Sequence, residues 1–242
     1  MMNMSVKGMI SAMAMGFWLT GLSVSPSAMA VELDFNISAP TSGTISYGGG
    51  SGALIGSSIE VDNVVGLSTP ANANVTSICV SCVLNFTSGA ETTAGGPTGP
   101  NNGWWSFGSG GTITITGGVQ LQSGTDISLG STLLTGSFTS AFVQDLGGQG
   151  FKVTFGSFSD TKNADLLSYY GLTPGTPFQG ALTLLFGSTN GGIGSAFTST
   201  SVFSGNVVNA PAVPVPAAVW LFGSGAAALV GLAKRRSLLG LS

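Results

Sequence analysis

The chain has 242 residues, enough for one domain or slightly more, and charged residues make up 6% of it, against roughly a quarter in ordinary globular proteins. It contains no histidine, which removes Ser-His and Cys-His catalysis, histidine-ligated metal and any imidazole acid–base step. Its Lys and Arg residues number 6, too few to build a surface that tracks phosphates, so nucleic acid is not an expected partner.

Residues 1–30 read as a secretory signal peptide. Lys7 follows a short polar start, residues 8–24 are nearly all apolar, and Ser25-Pro26-Ser27 breaks the run. Ala28 and Ala30 then supply the small side chains that signal peptidase requires, so cleavage is expected before Val31. An uncleaved anchor would leave that small-residue site without a role.

Residues 31–209 read as one all-β domain, a single antiparallel β-sandwich of jelly-roll-like type with one short helix. Short runs alternate with the strand period: Leu33/Phe35/Ile37, Ile59/Val61, Ile78/Val80/Cys82/Leu84/Phe86 and Phe151/Val153/Phe155. Glycine pairs and triplets separate them, the punctuation expected of a sandwich or barrel. Low charge alone is compatible with disorder, but alternation of this kind creates apolar faces that can be buried. Lys152 and Lys162 stand against all 9 acidic residues of the chain, which predicts a mildly acidic surface.

Glu60 and Asp62 are expected on one face of a strand, SIEVDNVV. Their spacing resembles the first two acids of the E-x-D-x-x-E strand of laminarinase-like glycosidases, but Val65 or Val64 stands at the third acid position. A retaining glycosidase needs two carboxyl groups about 5 Å apart. The competing reading is a solvated acidic edge on an alternating strand.

Cys79 and Cys82 are the only cysteines. Export would favour a local disulfide. On an unbroken strand, however, positions three apart face opposite sides with Cα atoms about 10 Å apart, so a bond requires a turn or bulge at Val80-Ser81. A thioredoxin-type redox site would need a βαβ setting that this sequence does not offer, and zinc would lack two further ligands. No cofactor is called for.

Trp104 and Trp105 follow Asn101 and Asn102. Adjacent strand residues point opposite ways, so one indole is expected in the core and the other outside, where with the asparagines it becomes a candidate glycan contact. The blander reading is a tryptophan that covers a loop. In TITITGGVQLQ a two-residue turn at Gly117-Gly118 would put apolar residues on both faces. A three-residue loop pairs Ile115 with Val119 and Ile113 with Leu121, which predicts a hairpin with a glycine bulge. One helix is expected, capped by Asp160, carrying Leu166, Leu167 and Tyr170 on one side, and ended by Gly171 and Pro174.

The C-terminal segment has three parts. Residues 210–216 form a proline-rich linker holding Val213, Pro214, Val215 and Pro216, whose prolines keep it extended. Residues 217–233 are uncharged, and about 17 residues at ~1.5 Å rise span ~26 Å, enough for a thin bilayer core. Lys234, Arg235 and Arg236 open the tail, residues 234–242, and should hold it in the cytoplasm. A buried core helix is the competing reading, and the lack of a polar face disfavours it.

A proline motif, WLFGSG within an apolar helix and a closing KRR resemble the PEP-CTERM sorting signal, with Val215 in place of the usual Glu. The stretch NADLLSYYGLTPG, with FQGALTLLF and FTSTSVFSGNVVN, is also similar to a recurring block in such proteins. The resemblance implies export, inner-membrane anchoring before processing by an exosortase, and release to the cell surface or the extracellular space of an exopolysaccharide-producing bacterium. It transfers no activity. The resulting expectation is a non-catalytic surface or matrix protein associated with exopolysaccharide. The alternatives are a carbohydrate-binding sandwich and, behind it, a glycan hydrolase using Glu60 and Asp62.

Overall fold

The period-two runs fold as strands, and their apolar sides meet in one core. A computed structural model describes residues 30–96, 103–147, 150–156, 158–190 and 194–212. The expected signal segment up to Met29, Asn101, Asn102, Val213 to Pro216, the expected span 217–233 and Lys234, Arg235 and Arg236 lie outside the described residues. Among the described residues no helix is long and apolar enough to cross a membrane.

In chain order the first strands are β1 (Glu32–Ile37), β2 (Thr44–Tyr47), β3 (Ala53–Glu60), β4 (Asn63–Leu67) and the long β5 (Thr76–Gly95). Next come β6 (Trp104–Phe107), β7 (Gly111–Gln120), β8 (Ile127–Phe138), β9 (Ala141–Asp145), β10 (Phe151–Phe155) and β11 (Phe158–Lys162). The helix α1 (Ala164–Tyr169) separates these from β12 (Phe178–Asn190) and β13 (Phe197–Pro211). All the strands join one antiparallel sheet, and additional pairings link β3 to β5, β13 to β12 and β5 to β7.

Those extra pairings close the sheet on itself. One circuit runs β5, β3, β2, β13, β12, β10, β9, β6 and back to β5. A second runs β5, β4, β1, β13, β12, β11, β8, β7 and back to β5. The three long strands β5, β12 and β13 belong to both circuits because each changes partner part-way along. Closure leaves few open edges, which limits strand-to-strand association between copies. Leu33, Phe35, Phe155, Leu182 and Val207, from widely separated strands, share one buried cluster among the described residues.

The helix closes one end of this body. Leu166, Leu167 and Tyr170 are fully buried, and the chain leaves through Gly171 at φ +73°, a conformation that suits glycine. Its cap is Asn163, whose Oδ1 accepts from the backbone N–H of Asp165 at 2.9 Å and of Leu166 at 3.2 Å. Asp160, expected in that role, lies instead inside β11, because the strand continues through Lys162 before the helix can begin.

The hairpin expected at Gly117-Gly118 is also absent. The segment continues as β7, with β5 on one side and β8 on the other. The glycines mark register shifts against β8 rather than a turn. The reason lies across the sheet: a Cβ on Gly117 would stand 2.6 Å from the Cys82 sulfur, so the missing side chain makes room for β5. The alternating run in β5 likewise breaks at a bulge, which turns Ile78 to solvent while Cys82 and Leu84 are buried.

Candidate functional site

The two adjacent tryptophans part company in β6. Trp105 is 0% exposed and packs its ring against Phe151 and Phe197, with centroids 6.0 and 5.4 Å away. Trp104 faces outward. Strand alternation produces this directly, since Trp105 and Phe107 take the core side and leave Trp104 and Ser106 on the other.

The neighbouring strands complete the outer face. On β9, Ala141, Val143 and Asp145 are buried, so Phe142 and Gln144 point out. On β10, Phe151, Val153 and Phe155 are buried, leaving Lys152 and Thr154 on the same side. Registers place Trp104 opposite Gln144 and Gln144 opposite Lys152 in one cross-strand row. Ser106, Phe142 and Thr154 form the next row.

Trp104 and Phe142 are therefore diagonal neighbours, a relation within reach of aromatic side chains. Their rings stack with centroids 5.8 Å apart and planes 25° from parallel. Phe142 is 40% exposed. The indole also lies over Gly95 of β5, where a Cβ would come within 2.6 Å of a ring carbon. The glycine lets Trp104 lie flat on the sheet. An outward-facing aromatic pair, Trp104 half-buried and Phe142 exposed, flanked by an amide, an ammonium and hydroxyl groups, has the chemistry to cover the apolar face of a sugar ring and hydrogen-bond its rim.

The sequence reading of this face reached Trp104 but missed Phe142, Gln144 and Lys152. Outward positions of AFVQD and FKVTF were legible from alternation. That β9 would pair with β6 was not, because the two strands are far apart in the chain.

Glu60 and Asp62 do not share a strand. β3 ends at Glu60 and β4 begins at Asn63, so Asp62 sits in the connecting turn. Asp62 accepts from the backbone N–H of Ser38 at 2.7 Å, and Glu60 accepts from the Ser42 hydroxyl at 3.3 Å. Each carboxylate thus serves a nearby loop. Among the described residues no group of three or more Cys, Asp or Glu side chains could hold a metal ion.

One buried charged pair lies elsewhere. Lys162 Nζ stands 2.5 Å from Asp160 Oδ1 and 3.9 Å from the centroid of the Phe178 ring. Burial lowers the Lys162 pKa to about 8 and raises that of Asp160, so desolvation outweighs their mutual attraction. Both side chains are shut away from solvent, which makes the pair part of the core rather than of a site.

Cys79 and Cys82 are free thiols beside a bulge of β5. No family model, no curated protein and no solved structure matches this chain.

Proposed function

We propose that the chain is an exported, exosortase-sorted, non-catalytic cell-surface or extracellular-matrix protein associated with exopolysaccharide, built on a jelly-roll-like β-sandwich. The observation that carries this reading is where the first and last described strands begin and end. β1 starts at Glu32, just after the Ala28-Met29-Ala30 site, and β13 stops at Pro211, just before Val213 and Pro214. Neither expected cut removes a strand among the described residues.

The first and last strands are also neighbours, with Leu33 opposite Asn209 in an antiparallel pair. Both ends of the body therefore leave at one pole. That arrangement supports a domain that hangs from a single anchor before processing and stays closed after it. Signal peptidase would act before Val31. The 217–233 helix would hold the chain in the inner membrane, with Lys234, Arg235 and Arg236 inside. Cleavage near Pro214 and Pro216 would then free the body.

Cell fractionation with mass spectrometry of both mature termini tests this. The expected extracellular species begins at Val31 and lacks residues 221–242. Recovery of residues 221–242 on protein outside the cell overturns the processing step.

A second reading, a carbohydrate-binding module, is favoured by the stacked Trp104–Phe142 pair. Its ligand would be a neutral or acidic polysaccharide strand lying across β6, β9 and β10, with Gln144 and Lys152 reaching its oxygens. Retention of the β-domain by the producing cell's own exopolysaccharide, lost in Trp104→Ala and Phe142→Ala, is the expected result. Unchanged retention in both variants rules this face out.

A further inference from the structure

The long strand β5 does not run straight. Between Val80 and Val83 its register against β7 slips, and Ser81 adopts φ +51°, in the left-handed region that non-glycine residues seldom occupy. The inserted residue changes which side the cysteines take. Cys82 is buried in the core cluster and Cys79 packs against the same cluster, although an unbroken strand would point them to opposite faces.

The surroundings are built around this pair. The Cys79 and Cys82 side chains are close enough for each to shift the other's titration. Cys82 also donates to the Gly118 carbonyl at 3.1 Å. Gly117, opposite, has no side chain where the Cys82 sulfur stands. The β3–β4 turn clamps both residues, with Val61 N–H donating to Cys82 O at 3.1 Å and Cys79 N–H to Asp62 O at 2.9 Å. The bulge is also the point at which β5 exchanges β4 for β3 along one edge.

We propose that Cys79 and Cys82 form a disulfide across this bulge, with a small-molecule or protein disulfide as the oxidant. Cys79, a half-buried residue where Cys82 is buried, is taken as the one a donor R–S–S–R meets first. It attacks the donor as its proton passes to solvent, and a Cys79–S–S–R bond forms as the first R–S⁻ departs and takes up a proton. Cys82 then attacks the Cys79 sulfur and expels the second R–S⁻, which takes the remaining proton. Two S–H bonds are lost and one S–S bond is gained, and two electrons reduce the donor to two thiols. The product pins the corner where β5 passes from one partner to the other.

The test uses the full-length chain, purified reduced in detergent and incubated with oxidised glutathione. Alkylation with iodoacetamide and cleavage after glutamate follow, so that both cysteines fall in the fragment of residues 61–91, bounded by Glu60 and Glu91. The expected fragment is about 2 Da lighter than the dithiol and takes up no alkylating group until a reductant is added. A Cys82→Ser chain should stop at a glutathione adduct on Cys79. Wild-type chain that is alkylated at both positions without reductant, or that stops at the adduct, overturns the proposal. Disulfide-linked dimers in place of the light fragment overturn it equally.

Discussion

The ring of Tyr170 occupies the space a side chain on Gly66 would fill, which seats the end of the only helix described against β4. The Tyr170 hydroxyl lies 3.1 Å from the carbonyl oxygens of both Val64 and Val75 and 3.4 Å from the Ser77 hydroxyl. Size complementarity and a shared hydrogen bond thus hold one end of the body closed. Tyr170→Phe should lower stability by about 1–2 kcal/mol through the lost hydroxyl contacts. Gly66→Ala should cost about 1–3 kcal/mol because the ring must move. Urea denaturation of the purified protein measures both. A Tyr170→Phe midpoint equal to wild type would mean the hydroxyl contributes nothing.

The Asp160–Lys162 pair should show the asymmetry of buried ions. Lys162→Met leaves the Asp160 carboxylate enclosed and unpaired, at a cost of roughly 3–5 kcal/mol at neutral pH. Neutralising both, in Asp160→Asn with Lys162→Met, should recover most of that loss. Without its counter-charge Asp160 becomes easier to protonate, so the single variant should gain stability on acidification more steeply than wild type. A double variant less stable than the single one contradicts this account.

Asp34 supplies a pH signature of its own. Burial, with a smaller contribution from Glu32, raises its pKa to about 6, and its Oδ1 has no hydrogen-bond partner among the described residues. Between the ordinary carboxylate range and about pH 6 the folded chain holds a proton that the unfolded chain has released. The stabilisation is therefore complete below the unfolded pKa and is lost as pH rises through about 6. Asp34 is partly solvated, so the contribution after screening is about 1 kcal/mol. That corresponds to a melting temperature about 2–4 °C higher near pH 4 than near pH 7. Asp160 shifts in the same direction, so the measurement is the difference between wild type and Asp34→Asn, in which this part of the slope should vanish.

The adjacent tryptophans should separate stability from binding. Trp105→Ala empties a core position and is expected to cost about 3–5 kcal/mol. Trp104→Ala should change stability by less than about 1 kcal/mol, since its ring rests on an outer face. If the second functional reading holds, the same change weakens polysaccharide binding at least about tenfold, or 1.4 kcal/mol. Calorimetric melting and affinity electrophoresis on both variants give the two readouts, and a Trp104→Ala loss of stability as large as that of Trp105→Ala would place Trp104 in the core energetics instead.

Period-two alternation carried a good deal of this structure in advance. Leu33, Phe35, Ile37, Phe151, Val153 and Phe155 all face the core as their spacing predicts. That a bond between Cys79 and Cys82 would require a turn or bulge at Val80-Ser81 came from strand geometry alone. Leu166, Leu167, Tyr170 and Gly171 marked the helix, though not its cap.

Partner choice was beyond the reach of the chain read locally. Gly117-Gly118 looks like a turn until Cys82 arrives from β5 to fill the space beside Gly117. Glu60 and Asp62 look like parts of one strand until β3 ends at Glu60. Trp104 gains Phe142 only because β9 settles next to β6. Which way a side chain points along a strand follows from consecutive backbone dihedrals, a property of neighbours in sequence. Which strands lie side by side depends on apolar faces meeting across long stretches of chain, and that is settled only when the whole sheet closes.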